Sequence, residues 1–247
     1  MSNTIKVLDK GFVTLRNMAG PTRRIWAEGS PDMDTKKQDF REFDADDTDV
    51  ANAARMSFDA SDMERTYEIE MKLNRYLMKN QHMTPFESIQ VWIEIKLPIF
   101  VARQFHRHRM QSINEVSGRY VTLPADWYIP DVVGGKAVDK KQGQEDNLDL
   151  ETQAWFKRKL HDSCSSDYQL YLEAMSRGVA PEHARMLLHT CHYTHYMFSM
   201  NLRNLMHFLA LRNHGHAQIE AQKYAQAIIT LLDPHIPGLM QLFRETY

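Results

Sequence analysis

Residues 87–120, ESIQVWIEIKLPIFVARQFHRHRMQSINEVSGRY, decide how the chain folds. From Glu87 to Leu97 the side chains alternate. Ile89, Val91, Ile93, Ile95 and Leu97 fall on one side, and Ser88, Gln90, Trp92, Glu94 and Lys96 on the other. A period of two with one apolar face predicts a half-buried strand. Pro98 suits the first turn of a helix running through IFVARQFHRHR to Arg109, which delivers a basic stretch to a loop at QSINEVSGRY.

Upstream, Ile5, Val7, Phe12 and Leu15 flank the turn-forming Asp9-Lys10-Gly11 and predict a hairpin over residues 4–16. From Pro21 to Asp47 the chain is polar and aperiodic, so an extended insertion is expected there. Helix resumes near Asp49. The segment Asp62 to Asn80 sets Ile69, Leu73, Tyr76 and Leu77 on one face. Downstream, residues 134–150 form a second polar insertion, followed by a long helix from Glu151 to Arg177 that stops at Gly178. His192 to Met200 is β-prone. Asn201 is placed to cap a helix with the apolar stripe Leu202, Leu205, Met206 and Leu209, while Arg203 and His207 share a different face. A last helical period runs from His216 to Leu232 and ends at Pro234. The expected fold class is α+β: one domain over residues 1–247, antiparallel strands against a helical core, with polar insertions at about 21–47 and 134–150.

The 247 residues are 43% hydrophobic, enough for a sizeable core without covalent staples. Cys164 and Cys191, the only cysteines, make no disulfide framework and fit a reducing, cytoplasmic setting. The opening residues lack the apolar core of a leader, and no apolar run approaches the ~18 residues of a membrane span. Neither processing nor membrane insertion is expected.

Net charge is −2, so the chain as a whole offers no electrostatic case for nucleic acid. Its distribution is uneven. His183 to Ile219 contains no Asp or Glu but holds Arg185, Arg203, Arg212 and seven histidines. Residues 103–119 set Arg103, Arg107, Arg109, Arg119, His106 and His108 against Glu115 alone. Two basic islands in a near-neutral chain point to a localised anion, since phosphate is best held by converging arginine forks. Either island alone is equally a solvated face.

Seven residues separate Arg107-His108-Arg109 from Ser117-Gly118-Arg119, with Ser112, Asn114, Glu115 and Tyr120 between or just beyond. This pattern resembles the signature of flavin-dependent thymidylate synthases. Three further segments are similar to that family in the same order: Asn52 to Phe58, His82-Met83-Thr84-Pro85-Phe86-Glu87, and Glu182 to Arg185 together with Asn201 to Gln218. The departures are the two insertions, Ser88 where His is common, and His207 where Asn is common.

The resemblance implies reductive methylation of dUMP to dTMP, with 5,10-methylenetetrahydrofolate as carbon donor, reduced FAD as hydride donor and NADPH as the reductant of FAD. It implies cofactor contacts from His82, Thr84, Arg107, His108, Arg109, Glu115, Asn201, Leu202, Arg203 and His207. It implies substrate contacts from Gln104, Phe105, His106, Arg107, Glu115, Val116, Ser117, Gly118, Arg119, Arg185 and Arg212. Arg212 is the expected catalytic residue, polarising the uracil base, with no cysteine nucleophile and no metal. A homotetramer with shared sites is implied as well. Physical chemistry is compatible with these roles: Arg107 to Arg109 offer cations to a pyrophosphate, Asn201 to Arg203 open a helix, and Ser117-Gly118-Arg119 has the composition of a phosphate loop. For Arg212 a structural alternative exists, a cation serving the dipole at a helix C-terminus.

Other readings remain open at this level. Ser117 is a candidate nucleophile, although no motif supplies its base. His189, Cys191, His192 and His195 suggest a metal-dependent hydrolase, yet no Asp or Glu is adjacent in sequence. A nucleotide- or RNA-binding module would use the basic islands but lacks an evident stacking platform.

Overall fold

The computed structural model describes residues 3–20, 45–58, 65–137, 144–145 and 148–247. Most of the first insertion, much of the second, and residues 62–64 of the expected helix lie outside these. Strands β1 (Thr4–Val7) and β2 (Gly11–Ala19) form the expected hairpin, Val7 opposite Gly11. Helices α1 (Asp49–Arg55) and α2 (Tyr67–Lys79) follow, and a 3-10 turn over Thr84–Ser88 leads into β3 (Gln90–Pro98). Ile89, Val91, Ile93, Ile95 and Leu97 are all buried, as the alternation requires.

Helix α3 (Ile99–Phe105) is shorter than expected. The Phe105 carbonyl accepts from Gln111 Nε2 at 2.8 Å and from the His108 amide at 3.0 Å, which satisfies the helix end and turns the chain back before the basic triplet. Part of the expected loop is therefore a strand, β4 (Ser112–Glu115). All its residues are exposed, and it is held by backbone pairing, Glu115 opposite Tyr196. Strands β5 (Gly135–Lys136) and β6 (Gln144–Glu145) form a minimal ribbon in the second insertion.

Helix α4 (Leu150–Ser176) is the expected long helix, capped by the Asp149 side chain on the Thr152 amide. Gly178, at φ +84°, ends it in the left-handed conformation that favours glycine. Then come α5 (Pro181–Ala184), β7 (Tyr193–Asn201), α6 (Leu202–Arg212), α7 (Ile219–Leu232) and α8 (Pro237–Thr246).

The strands order as β1-β2-β3-β7-β4 with every neighbour antiparallel, so the fold is α+β as expected. The apolar face of β3 shares one core with Leu202, Leu205, Met206 and Leu209 of α6 and Ala221, Ala225, Ile228 and Leu232 of α7. Each buried Leu, Ile or Met among them contributes about 1.5–3 kcal/mol. Helix α2 departs from its expected stripe: Ile69 and Tyr76 are exposed, and Glu70 and Asn74 are buried beside Leu77 and Met78. The two polar residues have partners elsewhere. Glu70 pairs with Arg55, and Asn74 Nδ2 donates to the Asp47 carbonyl at 2.6 Å. Among the described residues, no helix is long and apolar enough to cross a membrane.

Candidate active site

The expected ligand residues gather in three groups, two of them at opposite ends of α6. Eleven residues of helix separate those ends, about 15 Å at 1.5 Å per residue.

At the N-terminal end, the Asn201 side chain caps α6 by accepting from the Asn204 amide at 2.9 Å. The Leu202 amide donates to the Ile89 carbonyl at 2.9 Å, tying the start of α6 to the entry of β3. That tie brings Arg203 against Glu87, with which it forms an ion pair. Thr84 opens the same turn, His82 lies just before it, and both are exposed. Gln81 before them adopts φ +58°, and the His82 ring meets Tyr76 edge-on at 6.1 Å. Leu202 itself faces the core.

At the C-terminal end, Arg212 Nε donates to His108 Nε2 at 2.9 Å. The His108 ring is wedged edge-on against α6, 4.9 Å from Phe208 and 6.2 Å from His207. Burial, then the charges of Arg212 and His207, push His108 down to about 4. Burial and Arg107 also lower the Arg212 guanidinium. Gln104 reaches the start of α7 by donating to Gln218 Oε1 at 2.6 Å. Phe105 packs into the core, 4.8 Å from Phe208, so only its backbone faces the site. The His106 ring lies 5.2 Å from Tyr196, and neither His106 Nε2 nor the Tyr196 hydroxyl, both buried, has a partner among the described residues.

The third group is the Ser117-Gly118-Arg119 turn, in which the Arg119 amide donates to Ser117 Oγ at 3.3 Å. Helix α4 holds it from behind. Leu123 is clasped at both backbone groups, its amide donating to the Tyr171 hydroxyl at 3.0 Å and its carbonyl accepting from Tyr168 at 3.1 Å. A Cβ on Gly118 would lie 3.0 Å from Leu123 Cδ1 and 3.4 Å from Arg185 Cδ, so the bare glycine lets the Arg185 stem close on the turn. Arg119 Nε meets Glu182 at 3.1 Å, an exposed pair of low worth that an anion can displace. Glu115, at the end of β4, accepts from the Thr194 hydroxyl. A shallow cavity of about 440 Å³ opens there, lined by Glu115, Val116, Asn114, Tyr196, Met197, Arg16, Glu94 and His195.

Among the described residues, no carboxylate lies within salt-bridge distance of Arg107, Arg109, Arg185 or Arg212. Arginines without a described counter-charge, Arg212 half-buried among them, are open to pairing with an anion. Glu87, Glu182 and Gln218 were not singled out from sequence, although each lies in a segment that matched. Their partners are too distant along the chain for any local signal.

The histidines of the metal reading are dispersed. His189 bonds Asp167 at 2.6 Å, His195 bonds Glu94 at 2.7 Å, and His192 is buried. Carboxylates missing from the neighbouring sequence are thus supplied by α4 and β3. Among the described residues, no group of three or more His, Cys, Asp or Glu side chains is arranged to hold a metal ion.

A family model described as "Thymidylate synthase complementing protein" matches residues 40–238. The chain is 40% identical over 205 residues to a flavin-dependent thymidylate synthase of Gluconobacter oxydans, covering 81% of this chain and 67% of that one. It is 36% identical over 241 residues to one of Kosmotoga olearia, covering 97% and 92%. Among solved structures, a UMP/dUMP methylase, PolB from Streptomyces cacaoi, bound with 5-Br dUMP, is similar with a TM-score of 0.79 at 26% identity, covering 98% of this chain and 97% of that one.

Proposed function

The chain belongs to the flavin-dependent thymidylate synthase family, and on that premise we propose that it methylates dUMP to dTMP, taking the carbon from 5,10-methylenetetrahydrofolate and the hydride from reduced FAD. The observation that carries this reading is the half-buried Arg212, uncompensated by any described carboxylate and bonded at 2.9 Å to the Nε2 of His108, an imidazole that burial and neighbouring cations push down to about 4. Such a guanidinium stabilises negative charge developing on a uracil edge and favours its electron-rich, N3-deprotonated form. Ser117, Gly118, Arg119 and Arg185 take the nucleotide phosphate, with Gln104, Phe105, His106, Arg107, Glu115 and Val116 along the nucleotide.

The residues present suit FAD. Arg107 and Arg109 are exposed cations, and Arg203 at the head of α6 is held, among the described residues, by an exposed pair that a pyrophosphate can replace. His82, Thr84, His108, Glu115, Asn201, Leu202 and His207 complete the expected set. When bound and reduced by NADPH, the cofactor supplies the hydride that completes the methyl group. The protein's own part is to bind, orient and polarise. Cys164 and Cys191 are buried beside each other and take no part.

A homotetramer with sites shared between subunits accompanies this reading. Large apolar side chains next to the basic loops stay exposed, among them Met110, Tyr120, Met186 and Leu211, and a second copy would cover them. Purified protein incubated with FAD and desalted is expected to keep flavin absorption and to form dTMP from dUMP, methylenetetrahydrofolate and NADPH. Protein that retains no flavin and makes no dTMP contradicts the proposal.

A further inference from the structure

The contact between Arg212 and His108 has a direction. A guanidinium is a donor only, so the nitrogen that receives Arg212 Nε–H must present a lone pair. His108 Nε2 is that nitrogen, at 2.9 Å, and the ring's one proton therefore belongs on Nδ1. Among the described residues, the charged or titratable groups that act on the ring are Arg212 and His207 of α6, both cationic when charged, and Arg107 acts in turn on Arg212. Phe208 supplies an apolar wall. No described carboxylate stands by to favour an imidazolium.

Resting on the role proposed above for Arg212, we infer that His108 is its positioning residue, a neutral Nδ1–H imidazole that holds Nε and leaves the two terminal amino groups to fork toward the uracil. Arg212 lies in the last turn of α6, where an unrestrained arginine samples many rotamers. Fixing Nε at one acceptor removes much of that freedom before substrate arrives, and pre-ordering of this kind acts on the chemical step. The Phe208 and His207 rings fix the imidazole in turn. The lowering of His108 to about 4 keeps the lone pair available through the neutral range.

The test has a spectroscopic arm and a kinetic arm. In protein labelled with 15N-histidine, long-range proton–nitrogen correlations are expected to show one residue, absent from His108→Gln, with a protonated Nδ1 and a bare Nε2 that persist to pH 5. In Arg212→Ala the same residue is expected to titrate nearer pH 6.5. An imidazolium at pH 7, or an Nε2–H tautomer in the unaltered protein, overturns the inference. Kinetically, His108→Leu is expected to lower kcat for dTMP formation about tenfold with a smaller change in KM for dUMP. His108→Gln, which offers an acceptor at similar reach, is expected to recover most of that loss at equal FAD loading. Equal losses in both variants, or losses that track FAD uptake alone, also overturn it. A protein that makes no dTMP at all but keeps the tautomer would sink the parent reading and leave the geometry intact.

Discussion

Asp47 and Gly238, 191 positions apart, are joined through one buried carboxylate: Asp47 Oδ2 accepts from the Gly238 amide at 2.8 Å, and Oδ1 from the Leu239 amide at 2.7 Å. The Tyr67 hydroxyl donates to the same Oδ2 at 2.7 Å. One side chain thus caps α8 and latches it to α2.

Removing that carboxylate orphans two helix-start amides in a dry setting. Asp47→Ala is expected to cost at least about 2 kcal/mol of stability, and Asp47→Asn less, because one acceptor survives. Urea midpoints measure this, and an unchanged midpoint in Asp47→Ala would show that the latch contributes nothing. Burial, followed by the bond to Asp47, also pushes Tyr67 up to about 12. In Asp47→Ala its ultraviolet titration is expected to move back toward 10.

None of this was legible in the sequence, where Asp47 closes a polar insertion and residues beyond Pro234 carry no assignment. β3 and the buried stripes of α6 and α7 were legible, because their inner faces are apolar and local periodicity reports only apolar faces, while α4 was legible from its stop at Gly178. β4 was hidden because its side chains are exposed and its stability comes from the backbone of β7. The helix α2 was legible but its inner face was misjudged, because it buries Glu70 and Asn74. The candidate site divides in the same way. Its residue types could be picked from local motifs, but the pairs that give them geometry, Arg212 with His108 and Arg203 with Glu87, span 104 and 116 positions.

Gly118 sits where a methyl group would press on Leu123, with the stem of Arg185 alongside at van der Waals distance, so that any shift of Leu123 is passed to the turn. Gly118→Ala is expected to displace the Arg185 head from the phosphate turn. KM for dUMP should then rise roughly tenfold, a cost of about 1.4 kcal/mol within the usual range for overpacking. kcat should change less, because Arg212 is untouched. Steady-state kinetics decide it, and a KM within twofold of the parent would mean that Leu123 alone yields.

Cys164 and Cys191 lie with their sulfurs 3.4 Å apart, both buried. Burial, then the neighbouring thiol, pushes Cys164 up to about 12, and burial raises Cys191. Thiols of this kind are poor nucleophiles at neutral pH. Aromatic disulfide reagents are expected to label neither in the native protein and both after unfolding. The double Ser variant is expected to keep dTMP formation within about threefold while losing some stability to the buried hydroxyls. Inactivity in a folded, FAD-loaded double variant would demand a cysteine mechanism.

Arg119 and Arg212 test how one site is assembled. Arg119 belongs to the phosphate turn backed by α4, and Arg212 to the last turn of α6. If sites are shared, the phosphate half comes from one subunit and the base-polarising half from another. Arg119→Ala and Arg212→Ala are each expected to be nearly inactive, since each removes a charged contact worth a few kcal/mol in a desolvated site. Co-refolding or coexpressing the two variants in equal amounts changes the outcome. Each site then draws its halves independently, and roughly one in four receives both intact. Activity should recover to about a quarter of that of the unaltered protein when mixing is complete, with mixed oligomers verified by differently tagged chains. Should verified mixing restore nothing, both arginines act within one subunit, and the shared-site assembly fails while the dUMP chemistry stands.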